Sequence, residues 1–187
     1  TKGYIGTGYN GVADQQDFWE WNQATNVWTV KAPFGGGVRR GAIGFSIGTK
    51  GYIGTGFDGS SEKQDFWEWD QTTGIWSPKA NFGGAAREGA VCFAIGTKGY
   101  IGTGWNGTTS YQDFWEWNQS NDTWTAKANF GGTARRYAVG FSIGMLGYIG
   151  TGSDGTNKQD FWEWNQSSNV WTPRTGFAGS ARAFDVG

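Results

Sequence analysis

Asp17-Phe18-Trp19-Glu20-Trp21 is the stretch that decides the fold, because the chain contains it four times. The same five residues return at 65–69, 113–117 and 160–164, so successive copies are 48, 48 and 47 residues apart. Gly-Tyr-Ile-Gly-Thr-Gly precedes every copy and a single Trp follows it. A period of this size indicates a repeat architecture in which each unit is one small group of secondary-structure elements.

Each repeat carries the pattern of four short strands separated by turns. Small and large residues alternate over 41–47, a period of two that is typical of a strand. A glycine-rich second strand follows at 52–56, and Asp58-Gly59 then marks a reversal of the chain. The third strand, 65–70, has apolar residues on both faces, which predicts a sheet covered on both sides. A fourth strand starts at Ile75.

One all-β domain over residues 1–187 is the prediction for the whole chain. No linker, change of composition or helical periodicity interrupts the repeats. The 34 glycines do not indicate disorder, because disordered chains are poor in aromatic residues and this chain is 18% aromatic.

The chain begins in a second strand, Gly3-Tyr4-Ile5, and ends in a first strand at 182–186. We therefore expect the N-terminal and C-terminal strands to complete one blade between them, within one ring or across two chains. Such pairing removes strand edges that invite aggregation.

The repeat resembles the kelch repeat over essentially all of the chain. The residues that carry the resemblance are Arg39, Gly51-Tyr52, Gly54-Thr55-Gly56, Trp69-Asp70 and Trp76. Gly-Thr-Gly stands where kelch repeats have a double glycine, and Trp-Asp or Trp-Asn stands for Tyr-Asp. The resemblance implies a β-propeller built of four-stranded blades, four of them in this chain.

The same resemblance leaves the ring open to three interpretations. Propellers hold about four to eight blades, so the chain could close alone, pair as a homodimer into an eight-bladed ring, or be a fragment of a longer array. The near-identity of the copies resembles kelch-like arrays of secreted bacterial surface proteins, which implies an extracellular or cell-surface location. The absence of an initiator Met and of a signal peptide fits a mature form or a fragment.

Composition argues against several kinds of chemistry. The chain has no His and one Cys, so zinc and copper sites and a Ser-His-Asp triad are not expected. The copper-dependent, galactose-oxidase-like branch of kelch propellers uses His ligands, and its activity cannot be carried over. Calcium on Asp58 and Glu62 is a weak alternative. We predict no cofactor and no metal.

Charge and hydropathy also limit the partners. The formal net charge is −1, without a basic stripe, and no long apolar run is present. Nucleic acid and a membrane span are therefore not expected.

Residues repeated in every unit are interpreted as scaffold, because a catalytic site is a single asymmetric place. We expect the recurring Glu and Arg to form a repeated structural ion pair or hydrogen-bonded carboxylate, and most Trp residues to lie in the core. Cys92 is expected to be a small buried thiol. The two recurring charged sets are Glu20, Glu68, Glu116, Glu163 and Arg39, Arg87, Arg135, Arg182.

Variation between copies points to one end of the blades as the candidate binding surface. The loop after the second strand and the connection after the fourth should emerge together, and both vary between repeats, whereas the turns at the other end barely change. Loops on a rigid scaffold often carry binding residues, and exposed aromatic residues and Arg often anchor partners. The candidate residues are Tyr9, Phe57, Trp105, Tyr111, Arg40, Arg136 and Tyr137.

The function that follows is a non-catalytic binding or structural module for a protein partner. A glycan-binding, lectin-like propeller is the alternative within binding. A carboxylate-based, sugar-active enzyme is the alternative of another class, and it would need an unrepeated pair of carboxylates.

Overall fold

The computed structural model describes residues 1–185 and residue 187, and the strands in this part of the chain form four antiparallel sheets. We call each sheet a blade and number the blades along the chain. Blade one contains β1 (Lys2–Gly6), β2 (Phe18–Asn22) and β3 (Val27–Val30). Blade two contains β4 (Ile43–Ile47), β5 (Lys50–Gly54), β6 (Phe66–Asp70) and β7 (Ile75–Lys79). Blade three contains β8 (Val91–Ile95), β9 (Lys98–Gly102), β10 (Phe114–Asn118) and β11 (Thr123–Ala126). Blade four contains β12 (Val139–Ile143), β13 (Leu146–Gly150), β14 (Phe161–Asn165) and β15 (Val170–Arg174).

Strand order within each blade follows the order of the sequence, so neighbouring strands are joined by short reversals. The all-β prediction and the four-stranded blade are confirmed for blades two to four, and blade one has three described strands. No described residue lies in a helix, and so none of this part of the chain could cross a bilayer as one.

The register of the central strands places the recurring Glu opposite a Tyr. Tyr52 pairs with Glu68 across β5 and β6, and its hydroxyl donates to the Glu68 carboxylate at 2.8 Å. Lys79 and Lys50 approach the same carboxylate at 3.4 and 3.6 Å. In blade one, hydrogen bonds from Lys2 first, and from Tyr4 as well, lower the pKa of Glu20 to about 2. The recurring Glu is therefore a scaffold carboxylate within its own blade.

Glu68→Gln should lower the free energy of unfolding by about 1 kcal/mol, because it removes the charge that Lys79 and the Tyr52 hydroxyl contact, while Lys50 keeps Asp70 at 2.7 Å. Urea denaturation of the variant and the parent measures this difference. Thr72→Ala, an exposed change in the neighbouring turn, is the control. A loss below about 0.5 kcal/mol, the range of ordinary surface changes, would contradict the scaffold assignment.

The recurring Arg has a different partner from the Glu that its spacing suggested. Arg87 donates to both carboxylate oxygens of Asp113, at 2.5 and 2.8 Å, and to the carbonyl of Thr103 at 2.7 Å. Arg87 belongs to the connection that leaves blade two, whereas Asp113 precedes β10 of blade three. Of the two expected arrangements, the Arg–Glu ion pair is therefore wrong, since each buried Arg clamps the Asp of the next blade. The hydrogen-bonded carboxylate is confirmed for the Glu, although its partners lie in its own blade and not between blades.

Successive blades pack face to face through aromatic side chains. Phe66 of blade two contacts Trp117 and Trp124 of blade three, with ring centroids 5.1 and 5.2 Å apart. Trp69, Trp117 and Trp164 are almost fully buried, as predicted for the core, whereas other repeated Trp residues such as Trp67 and Trp115 are only half-buried. Trp28, the counterpart of Trp124 in blade one, is 48% exposed, because no described blade precedes it.

Cys92 lies on β8 beside β4 of the preceding blade. Its Sγ donates to the carbonyl of Gly44 at 3.2 Å, and burial raises the pKa of the thiol to about 11. Cys92 is half-buried, less than the buried thiol that the sequence predicts, and a raised pKa leaves little reactive thiolate.

The described residues do not show the predicted pairing of the two termini. β1 has β2 as its partner, whereas Arg182 bridges to Lys158 and Phe184 bonds to Tyr137, both from the side of blade four. The predicted last strand includes Val186, which lies outside the described residues.

Candidate binding surface on the loop face

The loop face is the end of the blades formed by the loops after the second strands and the connections that enter the first strands. We define it by residues 9–14, 57–62, 105–110 and 153–157 together with 40–41, 88–89, 136–137 and 183–184. Isolated bridges join the two sets, as between Arg40 and Phe57, Glu88 and Trp105, and Arg136 and Ser153. The prediction that these variable segments lie together is confirmed.

Backbone hydrogen bonds between successive blades connect equivalent residues into one row on this face. Gly89 N donates to Gly41 O at 2.9 Å, Tyr137 N to Gly89 O at 2.8 Å, and Phe184 N to Tyr137 O at 2.9 Å. All four residues have positive φ, which suits glycine. Two of the blades nevertheless place an aromatic residue there.

Tyr137 and Phe184 therefore hold a backbone conformation that bulky residues rarely adopt, with φ of 53° and 65°. Their rings stack with centroids 4.0 Å apart. Burial, and then the nearby Glu88 carboxylate, raise the pKa of Tyr137 to about 12. Strained residues of this kind concentrate at functional sites.

Two arginines of the loop face lie over aromatic rings. The Arg136 guanidinium is 4.3 Å from the ring centroid of Trp105, and that of Arg40 is 4.4 Å from Phe57 and 5.9 Å from Tyr9. Cation–π contacts at such distances are attractive, by about 0.5–1 kcal/mol at exposed sites. The structure thus brings together five of the seven candidate residues in two stacks, and Tyr137 directly follows Arg136 of the first stack.

Tyr111, the seventh candidate, serves a blade junction instead. Its ring lies 4.1 Å from the guanidinium of the buried Arg87, and its hydroxyl accepts a hydrogen bond from Asn106 at 2.7 Å. It supports the base of the Trp105 loop.

An unrepeated cluster of charges on the loop face was missed by the sequence reasoning. Arg40 Nη1 lies 3.6 Å from Asp14 Oδ1, and its Nε lies 3.8 Å from Glu88 Oε2. Both carboxylates are more than nine-tenths buried. The signal was present in the variation: Glu62, Ser110 or Asn157 replaces Asp14 in the sister repeats, and Arg or Ala replaces Glu88.

Asp58, another carboxylate of the loop face, already has partners within its own loop. Asp58 Oδ1 accepts hydrogen bonds from the backbone of Ser60 and Ser61, and Lys63 pairs with the same side chain. These contacts hold the pKa of Asp58 well below its usual range, the Lys63 bond most strongly. In the described part of the chain, no cluster of three or more His, Cys, Asp or Glu has the arrangement of a metal site.

Two clefts lie beside the blades, and the second reaches Phe184 of the loop face. One of ≈ 570 Å³ is bounded by β1, β4 and β5, and one of ≈ 630 Å³ lies against the outer face of blade four. Both occupy places where an internal blade would have a neighbouring strand or sheet.

These features define an all-β protein of the β-propeller type, with a rigid repeated scaffold and one variable face. The solved structure described as "Structure of YjhT" has a similar fold, with a TM-score of 0.83 and 16% sequence identity. The alignment covers 96% of this chain and 64% of that one. No family model matches the chain. No curated protein matches it either.

Proposed function

We propose that the chain is a non-catalytic binding module of the kelch-type propeller class that engages a protein partner through its loop face. The observation that carries the proposal is the contrast between the faces: repeated residues are engaged within the scaffold, whereas unrepeated aromatic and Arg residues meet on the loop face. An extracellular or cell-surface location and an eight-bladed ring made by two chains belong to the same proposal, by resemblance.

Trp105 and Arg136 form the core of the proposed site. Among the described residues, Arg136 has no ion pair with a carboxylate, whereas Arg40 is shared between Asp14 and Glu88. The free charge of Arg136 favours a ligand with an acidic group, and Trp105 offers a rigid apolar contact beside it. Arg and Trp are the residues most often found at the energetic centre of an interface.

A glycan is the second candidate ligand, and the stacked Trp105 favours it because aromatic rings pack against sugars. An acidic glycan would use the same Arg136. A glycan array and a display library of acidic and neutral peptides, both probed with the labelled chain, separate the two classes. Binding to peptides and not to glycans supports the first proposal, and the reverse result supports the second.

Trp105→Ser should weaken a ligand found in either screen by about 30-fold or more, since interface anchors contribute on the order of 2 kcal/mol. Ser is what blade four carries at this position, as Ser153, so the melting temperature should stay nearly unchanged. Titration calorimetry and thermal denaturation measure the two quantities. Thr97→Met, which copies Met145 of blade four at the opposite end, is the matched control and should bind like the parent. Equal weakening by both changes would argue against the loop face.

A further inference from the structure

Every internal blade junction is built from one Arg and one Asp that come from successive blades. Arg135 donates to both carboxylate oxygens of Asp160, at 2.6 and 2.8 Å, and to the carbonyl of Thr151 at 2.8 Å. Arg39 and Arg87 make the same set of bonds at the two earlier junctions. Because all three arginines are buried, the pairing is a fixed part of each junction.

Arg182 is the fourth copy of this Arg. It makes the same contacts with its own connection as the buried Arg135 does. Its Nε donates to Ser180 O at 3.0 Å, as that of Arg135 does to Thr133 O at 3.1 Å. The guanidinium lies 4.8 Å from the ring centroid of Phe177, the distance that also separates Arg135 from Phe130. Arg182 is exposed, however, and pairs with no carboxylate in the described part of the chain.

Asp17 is the first copy of the Asp that pairs with Arg at the internal junctions. It makes the contacts that this Asp makes within its own blade. Trp19 Nε1 donates to its carboxylate at 2.7 Å, and Thr7 N donates to its backbone carbonyl at 3.0 Å. Thr7 has φ of 61°, close to the 57° of Thr151, so its carbonyl is presented as at an internal junction. Among the described residues, no Arg reaches Asp17.

The aromatic residues around Arg182 and Asp17 are also those that pack together at an internal junction. At an internal junction Phe114 packs on Trp164 and Trp171, with centroids 5.0 and 5.2 Å apart. The counterpart of Phe114 in blade four is Phe161, which lines the ≈ 630 Å³ cleft. The Trp face of blade one is open, with Trp19 37% and Trp28 48% exposed.

We infer that blade four of one copy docks on blade one of a second copy, with Arg182 of the first clamping Asp17 of the second. A second copy fits as the occupant because the face with Arg182 and Phe161 and the face with Asp17 and Trp28 complement each other in charge, hydrogen bonding and aromatic packing. The contact is head-to-tail, so it closes into a ring or extends according to the rotation between blades.

Charge reversal tests this contact. Sedimentation velocity from micromolar to millimolar concentration should show self-association of the parent chain. Asp17→Arg and Arg182→Asp should each weaken it by roughly 30-fold or more, because breaking a desolvated charge pair at an interface costs that much. An equimolar mixture of the two variants should associate again, since Arg182 then meets Asp17 at one junction and the reversed pair forms the other.

Recovery in the mixture also shows that both variants are folded. A parent that stays monomeric over the whole range overturns the inference, as does an association that neither reversal weakens. A mixture that stays monomeric although the parent associates overturns the Arg182–Asp17 assignment. The inference rests on the two-chain ring of the proposed function, and a monomeric parent overturns both. No ligand enters this experiment, so its outcome leaves the binding role of the loop face to be judged separately.

Discussion

Asp113→Ala should lower the free energy of unfolding by about 3–5 kcal/mol, because it leaves the charge of Arg87 buried without a partner. Arg87 is fully buried at the junction of blades two and three, and both oxygens of Asp113 accept its hydrogen bonds. Chemical denaturation monitored by the tryptophan signal measures the loss.

Asp17→Ala is the matched control for that experiment, since it removes the same residue of the repeat where no described Arg reaches it. It should change the stability of the monomer by no more than about 0.5 kcal/mol, as ordinary surface changes do. If the two variants lose the same stability, the Arg–Asp clamp is not what holds the junctions together.

Trp117→Ala should cost about 3–5 kcal/mol, the range for removing a large buried aromatic side chain. Trp117 is fully buried between blades, where its ring lies 4.8 Å from that of Tyr52, and its Nε1 donates to Asp122 at 2.9 Å. Truncation leaves a cavity between the blades and removes one hydrogen bond of Asp122, whose carboxylate keeps the one from Ala80 N.

Trp21→Ala removes the equivalent residue of blade one, where no described blade packs on the ring. We expect it to cost about 1 kcal/mol, the typical effect of a point mutation. Thermal denaturation of the two variants side by side compares them. A similar loss from both would mean that contacts within a blade, and not packing between blades, determine the stability of this fold.

The scaffold could be predicted from the sequence because the same strand and turn patterns recur in every repeat. The alternation over 41–47 gave the first strand, and the apolar residues on both faces of 65–70 gave packing between blades. The partner of Arg87 could not be predicted, because spacing within a repeat does not say which carboxylate lies across a junction. Asp113 and Glu68 fitted the sequence equally well, and only the stacking of the blades selects Asp113.

The sequence predicted which end of the blades carries the variable residues. It did not predict the contacts between those residues. Variation between copies pointed to Trp105, Arg136 and Tyr137, since the fold does not dictate those positions. The cluster of Asp14, Arg40 and Glu88 could not be predicted from the sequence. Its members come from three different connections and meet only when blades one to three stack. The exposure of the Trp face of blade one depends on which blades are neighbours, which no single repeat encodes.

The measurement that tests the central claim most directly compares ligand binding of three chains. The first is the parent, and the second carries Trp105→Ser, Arg136→Ala and Tyr137→Gly, each change copying a sister repeat. The third carries Thr97→Met and Lys98→Leu, which copy blade four at the opposite end. We expect the second chain to lose the ligand while its melting temperature stays near that of the parent, and the third chain to bind normally. Full binding by the second chain, or loss of binding by the third alone, would contradict the assignment of function to the loop face.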